Sequence, residues 1–175
     1  MQEVSFFENV LDEAFCRLLF HDARAKLRSS FEYTKSNFHW DQAVVQASTV
    51  VLVRPLPIPF ARLVVERLVE KSILPHHDFN VANYAWTRMS YIPWHDDGSK
   101  STAVTLYLNE VWEKDWGGLF LYELTQPGIH GYRPKFNCCV RVVGGISHAT
   151  TPVSLDAAEP RFTLQIFPNQ KAGGE

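Results

Sequence analysis

The stretch ANYAWTRMSYIPWHDDGSKSTAVTLYLN, residues 82–109, decides the fold. Its two ends, 82–92 and 101–109, are rich in aromatic and β-branched residues, and apolar positions recur there with a period near two, as on a half-buried strand. Pro93 and Gly98 punctuate the segment between them. The same pattern returns at 117–124, 136–143 and 161–167, each run bounded by turn residues.

Upstream the period is different. Asp12 reads as a helix cap, and Phe15, Leu19, Ala23 and Leu27 follow at four-residue spacing, which predicts an amphipathic helix. A second helix is expected from about Pro59 to Ser72, with Phe60, Val64 and Leu68 inside and Arg62, Glu66, Glu70 and Lys71 outside; Pro55, Pro57 and Pro59 make a stiff lead-in. Helices first and strands after, without βαβ alternation, predict a mainly β chain with flanking helices, and a double-stranded β-helix or jelly roll is the leading architecture.

A chain of 175 residues suits one domain, with N-terminal helices over about 12–74 and a β core over about 80–168. Hydrophobic residues at 46% and charged residues at 21% fit a folded globular protein. A net charge of −2 supplies no basic footprint for a nucleic-acid backbone. The acidic opening segment and the lack of any apolar run of membrane-spanning length argue against a leader or a membrane partner, and a cytoplasmic location is expected. Cys16, Cys138 and Cys139 are odd in number and imply no disulfide framework. Oligomeric state has no signal.

Histidine and aspartate two residues apart on a strand share a face, so a His-x-Asp pair supplies two ligands of a facial metal triad that leaves other coordination positions open. The short motif occurs three times, as His39-Trp40-Asp41, His76-His77-Asp78 and His95-Asp96-Asp97. Seven His and eight Asp give roughly 0.3 such pairs by chance, so context must choose. The first two lie in polar or turn segments, where a surface histidine is the expectation. His95 follows the first long strand and precedes the second, at the lip of the expected sheet.

Further along, Arg161, Thr163, Gln165 and Phe167 alternate with Phe162, Leu164 and Ile166, so one face of that strand carries a polar row. An arginine fork there suits a carboxylate, whereas a surface Arg161 paired with Glu159 is the bland alternative.

The ordered anchors His95-x-Asp97, Thr105-Leu-Tyr-Leu-Asn109, Trp116-Gly-Gly118, Pro134-Lys-Phe136, His148 with Pro152-Val153, and Arg161-Phe-Thr-Leu resemble the prolyl-4-hydroxylase-like family of iron(II), 2-oxoglutarate-dependent oxygenases over roughly residues 80–168. The resemblance implies His95, Asp97 and His148 as iron ligands and catalytic centre, with His130 as the competitor for the third position, read as a loop residue. It implies Arg161 and Thr163 as the clamp on the distal carboxylate of 2-oxoglutarate, with Tyr91 and Tyr107 as further cosubstrate contacts. Whether Leu106 or Tyr107 faces inward depends on strand parity. Trp94, Trp112 and Trp116 are expected to pack rather than to act.

By the same resemblance the chain is a dioxygenase. It uses Fe(II), 2-oxoglutarate and O2, with ascorbate as a stimulant, and releases succinate and CO2 as it hydroxylates an unactivated C–H bond. A carboxylate at Asp97 favours hydroxylation over halogenation; desaturation and ring formation stay open. The substrate is expected to be a small molecule, an amino acid or a peptidyl residue. The alternatives are a non-catalytic jelly-roll module that binds metal or ligand, and a metal-dependent hydrolase, which leaves Arg161 and Thr163 unexplained.

Overall fold

The computed structural model describes residues 3–29, 32–38, 42, 44, 50–98, 102–124 and 128–169. Within them the chain runs β1 (Glu3–Phe7), α1 (Glu13–Ser29), β2 (Thr34–Lys35), β3 (Val51–Pro55), α2 (Ile58–Glu70), β4 (Phe79–Trp86), β5 (Thr102–Tyr107), β6 (Phe120–Glu123), β7 (Ile129–Tyr132), β8 (Cys139–Val143), β9 (His148–Thr150) and β10 (Arg161–Pro168). A seven-stranded sheet has the order β1-β8-β5-β10-β4-β3-β2, and a three-stranded sheet has the order β7-β6-β9. Every pairing is antiparallel. Two antiparallel sheets facing one another with helices behind the larger one make the expected jelly roll.

The helices form where their caps and apolar stripes direct. The Phe15 amide donates to Asp12 Oδ1 at 3.1 Å, which satisfies one free N–H of the first turn of α1. Its buried face is Cys16, Leu19, Phe20 and Ala23, while Phe15 and Leu27 are only partly covered. In α2 the proline lead-in holds Pro57 at φ −52° before the first turn, and Val64, Val65 and Leu68 are buried. This helix stops two residues short of the expected Ser72, which instead adopts φ 57° as the chain turns away. Both helices pack on the outer face of the large sheet against Val81, Ala85, Val104, Leu106, Phe162, Leu164 and Ile166. All three cysteines are buried and free. Among the described residues, no helix is long and apolar enough to cross a membrane.

Strands do not all follow the helices. β1 and β3 come from the N-terminal part, and they pair with β8 and β4 in the large sheet. The Val51–Pro55 run, of which only Pro55 is expected as part of the helix lead-in, is thus a strand with its own buried valines, Val51 and Val53. The expected strand at 82–92 begins earlier, at Phe79, and ends at Trp86, so His95 lies in a loop beyond it and joins the small sheet only through a single bridge to His148.

Candidate active site

Two segments distant in sequence, the loop carrying His95 and Asp97 and the strand β9 carrying His148, meet so that one ligand atom from each residue lies within 4.8 Å of the others. The bridge between His95 and His148 is made by reciprocal backbone hydrogen bonds of 3.0 and 2.9 Å, and it sets the two imidazoles side by side with ring centroids 4.3 Å apart. Asp97 spans them: Oδ1 lies 3.8 Å from His95 Nε2, and Oδ2 lies 3.5 Å from His148 Nε2.

Both ring orientations are fixed from behind. His95 Nδ1 is 2.8 Å from the Pro93 carbonyl, and His148 Nδ1 is 2.8 Å from the Ile146 carbonyl. A carbonyl oxygen only accepts, so each Nδ1 carries a proton and each ring turns its Nε2 toward Asp97. This is the outer-shell bonding that metal-binding histidines need. Burial, and then the neighbouring His95, push His148 below the usual histidine range, which keeps its ligand nitrogen unprotonated near neutral pH.

The triad opens on a cavity of about 1010 Å³ between the sheets, whose walls include Ile92, Tyr107, Phe120, Val142, Arg161 and Gln165. Strand parity decides what faces it. In the register of β10 with β5, Thr163 pairs with Tyr107 and Leu164 with Leu106. Tyr107 therefore looks into the cavity, and Leu106 belongs to the helix-side core. The Tyr107 hydroxyl is buried and has no hydrogen-bond partner among the described residues, and burial raises its pKa.

Two buried arginines make an informative pair. Arg54, 3% exposed, is ion-paired to Asp22 and Glu32. Arg161, 2% exposed, has no acidic partner among the described residues, and its Nε lacks any hydrogen bond. Glu159, the partner a surface Arg161 would take, is engaged with Arg24 at 3.4 Å. Burial pushes the Arg161 guanidinium down to about 10, which still leaves it charged at pH 7. A buried charge without a counter-ion costs several kcal/mol, and this one borders the cavity.

The backbone around Arg161 is held with care. Asn109 Oδ1 accepts from the Phe162 amide at 2.6 Å, and its Nδ2 donates to the Pro160 carbonyl at 3.0 Å, so one side chain pins the residues on either side. Arg161 Nη1 donates to the Gly118 carbonyl. Gly118 has φ +64°, and a Cβ there would fall 2.9 Å from Arg161 Nη1, which accounts for a glycine at this point of the Gly-Gly pair.

Other candidates fall elsewhere. Tyr91 is half-buried in the loop after β4 and is not among the cavity walls, whereas its neighbour Ile92 is. Thr163 is on the Arg161 face but wholly buried, its hydroxyl bonded to Trp86 and Gln165. His76 and His77 are exposed in the turn after α2, and His39-Trp40-Asp41 lies outside the described residues. His130 is in strand β7 rather than a loop, exposed and stacked on Tyr122 at 5.2 Å. Trp112 is buried against Trp116, its indole N–H donating to the Gly117 carbonyl. Trp86 was not singled out by sequence, yet it lines the cavity and underlies Arg161, with the guanidinium carbon 4.5 Å from its ring centroid. Its alternation with Tyr84 along β4 is the available signal.

No protein-family model and no curated protein matches the chain. Solved structures do. A prolyl-4-hydroxylase of Pseudomonas putida superposes with a TM-score of 0.76 at 17% identity, over 97% of this chain and 94% of that one. A Trichoplax adhaerens prolyl hydroxylase, solved with a hypoxia-inducible-factor peptide fragment, gives 0.68 at 14% identity over 94% and 82%. The non-haem α-ketoglutarate-dependent epimerase SnoN of nogalamycin biosynthesis gives 0.70 at 12% identity over 95% and 78%. With 94–97% of this chain covered in each case, the protein has the jelly-roll fold of these enzymes.

Proposed function

We propose that the chain is an iron(II)- and 2-oxoglutarate-dependent dioxygenase that hydroxylates an unactivated C–H bond of a small molecule, an amino acid or a peptidyl residue, with release of succinate and CO2. The observation that carries this is the pairing, within one cavity, of a His-Asp-His cluster with a buried arginine that lacks an acidic partner.

The residues fit both groups. Two imidazoles that turn Nε2 toward one carboxylate make the facial donor set suited to non-haem iron(II), with open positions for a chelating keto acid and for oxygen. The unpartnered Arg161 Nε and Tyr107 hydroxyl are donors awaiting an acceptor, and a dicarboxylic cosubstrate supplies one. Bound iron and 2-oxoglutarate supply the oxidising chemistry, with oxygen as oxidant. His95, Asp97 and His148 orient the metal; Arg161, with Tyr107, takes the distal carboxylate and fixes the direction of the keto acid. Ile92, Phe120 and Val142 give the cavity apolar walls that exclude water. A relative in fold solved with a peptide fragment supports including polypeptide among the substrate classes.

The test is succinate formation from 2-oxoglutarate by purified protein with Fe(II), ascorbate and oxygen, with separate pools of amino acids, peptides and small metabolites, beside Asp97→Ala. Succinate that rises with one pool and vanishes in the variant is the expected outcome. A protein that binds neither Fe(II) nor 2-oxoglutarate is a non-catalytic jelly-roll module instead.

A further inference from the structure

Around Arg161 lies a buried polar chain that direct contact with a ligand does not require. Thr105 Oγ1 donates to Gln165 Oε1 at 2.8 Å, Gln165 Nε2 donates to Thr163 Oγ1 at 3.3 Å, and Trp86 Nε1 donates to the same Thr163 oxygen at 3.0 Å. Thr163 is fully buried and does not line the cavity, whereas Trp86, Arg161 and Gln165 do. Trp86 and Arg161 are direct partners across β4 and β10, and Thr163 is the diagonal neighbour, within reach of a long aromatic side chain.

We propose that Trp86 and Thr163 are positioning residues for Arg161: the Thr163 hydroxyl fixes the indole through its N–H, and the indole face carries the guanidinium. A guanidinium with no acidic neighbour has little to set its plane. Here one edge is tied to the Gly118 carbonyl, and the flat face rests on a ring whose rotation is blocked by a hydrogen bond. Pre-organising the fork lowers the ordering cost of ligand binding. A tryptophan is needed because phenylalanine offers the same face without the N–H. Thr163 thus acts through Trp86 and not by touching the ligand. This rests on reading Arg161 as the carboxylate clamp.

The experiment measures 2-oxoglutarate binding by calorimetry without turnover, with Mn(II) in the triad, for wild type, Trp86→Phe, Thr163→Val, the double variant and Arg161→Ala. Each single positioning variant should weaken binding about fivefold, the worth of one net hydrogen bond, and the double variant should lose no more than either single. Mn(II) affinity should not change. In Thr163→Val, the Trp86 indole N–H resonance should shift and exchange faster with solvent, a readout independent of affinity and usable even if Trp86→Phe folds poorly. Additive losses, about 25-fold in the double variant, or a Thr163→Val loss with Trp86→Phe unaffected, would overturn the proposal and make Thr163 a direct contact. Unchanged binding by Arg161→Ala would instead sink the clamp reading on which it rests.

Discussion

Strand β10 has two faces that do opposite things. Phe162, Leu164 and Ile166 point to the helices and are sealed in an apolar cluster. Arg161, Thr163 and Gln165, one residue out of step, point between the sheets and carry nearly all the polar groups of that strand. The helix face is satisfied by packing alone. The inner face holds a charge with no acidic partner among the described residues and borders a large cavity. A period of two therefore lets one strand both anchor the fold and hold a site, and the cost of the unpaired charge is offset by the packing one residue away.

If the faces are separable, variants on them should fail differently. Leu164→Ala should have the largest effect on stability, about 2–5 kcal/mol for a buried leucine in a close-packed cluster. A urea titration should show a lower midpoint with unchanged slope. The molecules that remain folded should bind 2-oxoglutarate with the affinity of wild type. A tenfold loss of affinity with only a small change in midpoint would break the comparison, because the outer face would then be steering the inner one.

Arg161→Ala should reverse the pattern. Losing charge-assisted hydrogen bonds to a carboxylate should weaken 2-oxoglutarate binding about 10- to 100-fold, seen as a raised KM with metal affinity retained. Its loss of stability should be smaller than that of Leu164→Ala, since no buried acid is left without a partner. Equal stability losses from the two variants would mean that Arg161 is a structural cation like Arg54.

Much of this division is legible in the sequence, because alternation survives in the long strands. β5 and β10 lie where period-two patterns predict, β4 shares only residues 82–86 with its expected stretch, and the polar row of β10 is read directly from residues 161–167. β9 is only three residues long, and β7 is exposed at nearly every position, so neither carries a pattern. β3 is obscured by a proline at its end, Pro55, and by Pro57 and Pro59 beyond it. In the candidate site, His95 and Asp97 are suggested by spacing and context. Their convergence with His148 depends on a backbone bridge across 53 positions, which no local pattern encodes. The parity of Tyr107 and the role of Trp86 both needed the register between strands.

The smallest effect sharpens the contrast between motif and site. His76 and Asp78 have the same spacing as His95 and Asp97, but the surroundings differ at every point. His76 is exposed, and its Nδ1 accepts from the Asp78 amide at 3.1 Å, a local turn contact. Asp78 Oδ1 accepts from the Asn169 side chain, and no third ligand joins them among the described residues. His76→Ala should therefore change stability by no more than about 0.5 kcal/mol, as for an ordinary surface substitution, and leave Fe(II) affinity as it is. His95→Ala, at the same motif position, should abolish iron binding. Comparable losses of iron in the two variants would show that spacing alone selects the metal, and that the convergence with His148 has no part in it.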